Sequence, residues 1–535
     1  MAKEGISIRC WNKFKVESVF ARFSPFFVSL AAGTLDAESF SRCISQDAHF
    51  LNSFAQAFEL AADCAKENDT KRAIGGLRIS AFQKLEMNAM FVRAWGVEDS
   101  NDRISDATAK YRDFLLVIAS GKVEDAQFPI KIATPFKKTK VAVYTLGAIA
   151  PCMRLYAYVY HEIRALQDPP DASHIYKKWI NNYASRDFLA LTMETEDLLD
   201  KLSARMTEQE LDEIENLYRQ ALKLQVEFFA TQPVSQQTLV PLSRAQELGN
   251  QKLTIFCDFD LTCSVTNSST ALADMTFSNS QPMKNTWDHL RTQHVEEVKK
   301  FLDYVNFGAP PLPGKEYDYA GLRHTLELVS EAEEKASERM ENSGLLQGLT
   351  LERVKFVGKQ IVLQDGCRRF FRKVLKNESP NIDVHVISDC LCSELIRSAF
   401  SSDLDVLNVH SNELTYVTTG EIFKTVQSPM EKLQSFIDVR WGPKSEREHL
   451  TVCIGSDVGD FLCLLEADIG IVINASARMR KLAFQFGVKL IPLFPTLVKK
   501  QKEIVTDSSF NWKSVLGILF MVSSWAEIEA FIFGL

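Results

Sequence analysis

Hydrophobic positions recur at helical spacing from Trp11 to about Ala230, whereas from Leu253 onward they gather into short continuous runs separated by helical stretches. The first pattern predicts seven helices, over about 11–23, 36–66, 70–94, 104–120, 136–166, 172–204 and 207–230. Gly33-Thr34, Gly96, Gly121, Phe128-Pro129 and Asp168-Pro169-Pro170 separate them, and Thr207 with Glu210 opens the last as a capping box. The second pattern predicts buried strands at Leu253–Cys257, Val384–Ile387, Val406–Val409, Thr451–Ile454, Ile469–Ile473 and Lys489–Phe494, an alternation that belongs to a parallel sheet with helices on both faces. Helix-rich, charged sequence at about 268–366 interrupts it and reads as an inserted helical cap; the run Ser330-Glu331-Ala332-Glu333-Glu334-Lys335-Ala336 reads as a solvated face. The expected organisation is two domains: an all-α helical bundle over 1–231, a polar linker over 232–251, and an α/β parallel-sheet domain over 252–535.

Composition narrows the classes of function. A chain of 535 residues exceeds one typical core, and 46% hydrophobic residues suit two ordinary ones. The net charge of −8 speaks against a nucleic-acid surface and directs attention to small-molecule substrates. Eleven cysteines with no Cys-x-x-Cys pair, and no leader ahead of Trp11, lead to the expectation of a reducing, cytoplasmic setting, with an organellar form from a longer transcript as the alternative. The late apolar run Val515 to Val522 falls short of the ~20 residues that span a bilayer, so it reads as buried structure and no membrane partner is expected.

The candidate chemistry lies at two places. Asp258 and Asp260 follow a buried strand, where ligands bind in open α/β sheets, and residues i and i+2 of an extended segment face one reacting centre. In the helical half, Asp47 shares a stripe with Phe50, Leu51, Phe54 and Phe58, so its carboxylate points into an aromatic interior and needs a cation, an amidine-like base or a strong donor there. Cys152 and Tyr156 are one turn apart and can face one cavity.

Gln46-Asp47, Tyr111, Pro151-Cys152 with Leu155-Tyr156, Lys178-Trp179-Ile180 ending in Tyr183, and Val226-Glu227-Phe228-Phe229 resemble the TenA/thiaminase II family, all-helical bundles that hydrolyse aminopyrimidines derived from thiamine. The resemblance implies that Asp47 binds the amidine edge, that Cys152 is the nucleophile, and that Tyr111, Tyr156 and Tyr183 line the pocket. Gln225 stands where the family carries its proton-donating glutamate, and glutamine cannot cycle a proton. Binding with weakened hydrolysis is the expectation. Family members are often tetramers, which implies a possible homo-oligomer.

Four further pieces fall in a fixed order: Asp258-Phe259-Asp260-Leu261-Thr262, Val386-Ile387-Ser388-Asp389, Lys432, and Gly455-Ser456-Asp457-Val458-Gly459-Asp460. Together they resemble the haloacid dehalogenase (HAD) phosphatase superfamily over about 252–535. The resemblance implies Asp258 as nucleophile, Asp260 as acid–base, Ser388 and Lys432 on the phosphoryl group, and Mg²⁺ held by Asp258, Asp260, Asp457 and Asp460. Relatives place the first loop acid directly after the glycine, where this chain has Ser456; weakened Mg²⁺ affinity is therefore expected. The two halves together are similar to plant-type bifunctional thiamine-salvage proteins, whose HAD half releases thiamine from thiamine monophosphate. A HAD phosphatase for another small phosphate, such as a nucleotide or pyridoxal phosphate, and a catalytically impaired aminopyrimidine-binding scaffold are the alternatives.

Overall fold

The computed structural model describes residues 4–94, 103–121, 140–167, 174–244, 252–304, 316–375, 382–400, 408–414, 422–423, 425–442, 449–506, 512 and 516–535. They form two compact units, one of residues 1–241 with 497–508 and 530–535, the other of 242–496 with 509–529.

The first unit is helical: α1 (Ile6–Phe14), α2 (Val16–Arg22), α3 (Pro25–Ala32), α4 (Ala37–Cys64), α5 (Asn68–Ala94), α6 (Asp106–Ser120), α7 (Val141–Ala165), α8 (Lys177–Tyr183), α9 (Arg186–Ser203) and α10 (Glu208–Ala230). The expected helix over 11–23 begins at Ile6 and is divided at Lys15. Helix α3 escapes the amphipathic signal because every residue from Phe26 to Ala32 is buried, which leaves no polar face to set a period. The expected helix over 172–204 is two, since the Ser185 hydroxyl accepts from the Phe188 amide at 3.1 Å and starts α9 afresh. The capping box at Thr207 and Glu210 is formed. Aromatic packing closes the core: the rings of Phe27 and Phe229 lie 4.5 Å apart, and burying such side chains stabilises by roughly 1.5–3 kcal/mol each. Gly96, Phe128-Pro129, Asp168-Pro169-Pro170, residues 245–251 of the expected linker and Val406 to Leu407 lie outside the described residues.

The second unit is a seven-stranded parallel sheet flanked by helices. Its strands are β1 (Lys252–Cys257), β2 (Ile382–Ile387), β3 (Asn408–His410), β6 (His449–Gly455), β7 (Ile469–Ile473), β8 (Lys489–Pro492) and β9 (Ile518–Val522), in the order β3-β2-β1-β6-β7-β9-β8. A separate antiparallel pair joins β4 (Glu413–Leu414) to β5 (Ile422–Phe423). The late apolar run, expected as buried structure, supplies β9. After β1 the chain builds outward through β2 and β3, then returns to the other side of β1 with β6, so the crevice beside β1 is where the direction of winding reverses. Cys257 pairs with Val386 and with Ile454, which brings Asp258, the residues after Ile387 and the loop after Gly455 to one level. Above this edge lie the inserted helices α11 (Ser268–Thr276), α12 (Gln281–Tyr304), α13 (Tyr319–Asn342) and α14 (Leu351–Gln360). An all-helical unit and a parallel-sheet α/β unit with a helical insertion are the fold expected from the sequence.

Candidate active sites

In the α/β unit a pocket of about 710 Å³, open solvent at its mouth included, is lined by Asp258, Asp260, Asp389, Lys432, Asp457 and Asp460 among others. Asp258 is buried at the end of β1; its Oδ1 accepts from Lys432 Nζ at 2.7 Å and its Oδ2 from the Thr262 hydroxyl at 3.0 Å. The same ammonium donates to Asp460 Oδ1 at 2.7 Å. Lys432 stands on the first turn of α15 (Pro429–Arg440), whose amino end is capped by the Ser428 hydroxyl. Burial opposes its charge, but Asp258 and Asp460 outweigh burial and hold it protonated. Burial, then repulsion from Asp460, pushes the Asp258 carboxyl up against the pull of Lys432. Removing either partner of such a buried pair costs about 3–5 kcal/mol.

Asp260 accepts from both the backbone amide and the hydroxyl of Ser268, each at 2.8 Å. Burial and the nearby Asp389 nevertheless push its carboxyl up to about 7, so it carries a transferable proton near neutrality. Between the two carboxylates and Ser268, Leu261 adopts a left-handed φ of 61°, a backbone strain of roughly 1–3 kcal/mol that the tight turn after β1 imposes. Ser388 is fully buried, with its amide on the His410 carbonyl and its hydroxyl accepting from the Cys390 amide; its neighbour Asp389, rather than Ser388, lines the cavity.

The loop after β6 turns on Gly455, where a Cβ would lie 2.5 Å from that of Asp460. This close approach lets Asp460 Oδ2 accept from the Ser456 and Asp457 amides at 2.8 and 3.1 Å. Ser456 points inward, 2.9 Å from the Thr262 hydroxyl that serves Asp258, while Asp457 accepts from Ser476 at 2.6 Å. The transposed pair thus places a neutral hydroxyl beside the Asp258 cluster and the carboxylate further along the cavity wall.

The donor chemistry of this cavity fits a hard divalent cation. At the Asp258 end of the cavity, Asp258, Asp260, Asp389, Asp457 and Asp460 give five carboxylates against two cations, Lys432 and Arg478. Burial and mutual repulsion raise several of these carboxyl groups, and a divalent cation would relieve that repulsion. No three of the potential ligands converge as a finished shell among the described residues.

In the helical unit a pocket of about 550 Å³, open solvent at its mouth included, is lined by Asp47, Phe50, Leu51, Phe54, Phe58, Cys152, Tyr156 and Tyr183, with Lys84 at its wall. Asp47 accepts from the Tyr156 hydroxyl at 2.8 Å, the Tyr183 hydroxyl at 2.9 Å and the Asn88 amide at 2.7 Å. Burial pushes its carboxyl up while these donors pull it down. Cys152 donates to Gln225 Oε1 at 3.1 Å, and burial holds its thiol well above the ordinary range, so it rests as a thiol. Pro151, one residue earlier inside α7, offers no backbone donor to Gly147. Tyr111 and Gln225 are not cavity-lining: the Tyr111 hydroxyl donates to the Ala148 carbonyl at 2.9 Å, and Gln225 Nε2 is buried without a partner. Glu227 faces away and pairs with Lys110.

Sequence reasoning missed Asn88, Lys84, Asp389 and Glu333. Lys84 donates to Asn182 Oδ1 at 2.8 Å, and burial lowers its ammonium to about 8. Only Glu333 carried a readable signal, because it continues the helical stripe Leu322, Leu326, Val329 of α13, all three buried.

A bifunctional TH2 protein, mitochondrial, from Arabidopsis thaliana is 45% identical over 559 aligned residues that cover 100% of this chain and 90% of that protein. The chain belongs to the bifunctional TH2 protein family. Within this TH2-family chain, residues 125–233 match the TENA/THI-4/PQQC family model. Among solved structures, a TenA homologue from Pyrococcus furiosus aligns with 42% of the TH2-family chain and 98% of its own, at 17% identity and a TM-score of 0.35. A phospho-aspartyl intermediate analogue of phosphoserine phosphatase aligns with 43% of the chain and 91% of its own, at 19% identity and a TM-score of 0.29. The mitochondrial designation of the Arabidopsis TH2 protein overturns the expectation of a cytoplasmic chain, which rested on the sequence ahead of Trp11.

Proposed function

We propose that the α/β unit is a phosphatase acting on thiamine monophosphate through an aspartyl-phosphate intermediate, and that the helical unit binds aminopyrimidines and hydrolyses them weakly, in the service of organellar thiamine salvage. The observation that carries the first part is the triad in which Lys432 bridges Asp258 and Asp460, with Asp260, whose carboxyl burial pushes up to about 7, two residues from Asp258. Asp258 attacks phosphorus and the ester P–O bond breaks. The Asp260 proton goes to the departing alkoxide, and the resulting carboxylate takes a proton from the water that opens the aspartyl phosphate. Lys432 offsets charge on nucleophile and phosphoryl group throughout, and Ser388 orders the strand end beside them. Asp258 and Asp457 would hold Mg²⁺, with Asp460 ordering the loop that carries Asp457 through its two amide bonds and Asp260 lining the same cavity. Such an ion supplies electrostatic offset for the dianionic phosphate.

In the helical unit the Asp47 carboxylate and its three neutral donors suit a ligand that offers an amidine-type edge, with Tyr156 and Tyr183 as ring contacts. Cys152 is the nucleophile of this reading. Its activation is weak because its partner Gln225 accepts a hydrogen bond but cannot take the proton away. The small-molecule reading leaves room for self-association through the helical unit.

The test is phosphate release from thiamine monophosphate by the intact chain and by Asp258→Asn. The wild type should release phosphate and the variant should fall to the uncatalysed background while still binding aminopyrimidine. Undiminished release by the variant would refute the assignment.

A further inference from the structure

The α/β cavity has a wall that the phosphate chemistry does not use. Val298 of α12 and Val329 of α13, both buried, present an apolar face toward Asp258, and Glu333 stands one helical turn beyond Val329 on the same side. Glu333 is only a quarter exposed, and His294 Nε2 from α12 lies 2.8 Å from its carboxylate. That contact, against burial, raises the imidazole of His294. The negative charge of Glu333 is felt across the cavity, where it is among the influences that raise Asp389.

An anionic side chain in a cavity meant for a phosphate dianion repels half of its own substrate. Lys432 is committed to Asp258 and Asp460, and Arg478, the other cation lining the cavity, is solvent-exposed and therefore screened. The arrangement becomes favourable when the ligand is itself divided, with the phosphate at Lys432 and a positive charge at Glu333, separated by an apolar ring or chain against Val298 and Val329.

We propose that Glu333 is a specificity-determining residue that selects phosphate monoesters whose alcohol part carries a positive charge, an inference that rests on the phosphatase reading of this cavity. The Glu333 carboxylate pairs with the cation of the leaving group and His294 holds the carboxylate in place. Neutral esters of similar size gain the apolar contact without the ion pair.

The test is a KM-against-kcat comparison of the intact chain, Glu333→Gln and Glu333→Asp on two esters, thiamine monophosphate as the cationic probe and 4-nitrophenyl phosphate as the neutral one. Glu333→Gln should raise KM for the cationic ester roughly tenfold or more, leave its kcat in place, and leave both constants for the neutral ester unchanged. Glu333→Asp should recover part of the loss. An equal change on both esters, or none on the cationic one, would overturn the proposal and leave Glu333 as a packing partner of His294. Hydrolysis of neither ester by the wild type would overturn the phosphatase reading and this selection with it.

Discussion

The two cavities treat a buried carboxylate in opposite ways. In the helical unit one carboxylate, Asp47, is held by neutral donors from Tyr156, Tyr183 and Asn88, and the nearby thiol of Cys152 stays protonated against an amide. In the α/β unit Asp258 shares a buried ammonium with Asp460, and Asp260 keeps its proton to about 7. On the proposed reading, the first arrangement would recognise a ligand without a group poised to move a proton. The second concentrates charge, offset and proton in one place, which is what phosphoryl transfer requires. The difference is set by single side chains, Gln225 behind Cys152 in one unit and Lys432 with Asp260 in the other.

That contrast can be erased from the weaker side. Gln225→Glu puts a carboxylate against the Cys152 thiol and should raise ammonia release from aminomethylpyrimidine by roughly 100-fold, within the usual range for a general base. Turnover unchanged from the wild type would show that the amide is not what limits the helical site. A smaller effect is expected on the α/β side from exchanging Ser456 and Asp457 to give Asp-Ser. The inward hydroxyl beside Thr262 becomes a carboxylate, and the Mg²⁺ concentration for half-maximal phosphate release should fall roughly tenfold. An unchanged Mg²⁺ titration would show that the inward position does not contact the ion.

The smallest effect concerns pH. Because the folded-state pKa of Asp260 is raised to about 7 from an ordinary carboxyl value near 3.8, its proton is present below neutrality and is lost as pH rises through about 7. Proton donation to the leaving group, and any stability tied to the neutral carboxyl, should decline over that same interval. A pH profile for a poor leaving group should therefore turn down above about 7, whereas 4-nitrophenyl phosphate, which leaves without assistance, should not. Identical profiles for the two esters would remove Asp260 from that role.

Much of this was legible in the sequence, for identifiable reasons. The apolar run ending at Cys257 and the pair Asp258, Asp260 announced a strand end, and a parallel sheet brings such ends together whatever the length of the intervening chain. The stripe of Asp47, Phe50, Leu51, Phe54 and Phe58 announced an aromatic cavity because helical spacing alone aligns them. What periodicity could not reach were partners from distant elements: Asn88 meets Asp47 across two long helices, and no spacing encodes that contact. Helix α3 was hidden because it is buried all round. The orientation of Ser456 and Asp457 was legible only as a displacement; the close turn at Gly455 and the two amide bonds to Asp460 decide which of them faces Asp258. Glu333 lay inside a charged run that resembles a solvated face, and only its register with Val329 separates it from its neighbours.

The most direct measurement is phosphate release by the intact chain from a panel of small monoesters, with and without Mg²⁺. Thiamine monophosphate should be cleaved in preference to nucleotides and pyridoxal phosphate, with phosphate and thiamine appearing in equal amounts and only when the divalent ion is present. Absence of release from thiamine monophosphate, or equal release from every ester in the panel, would contradict the account.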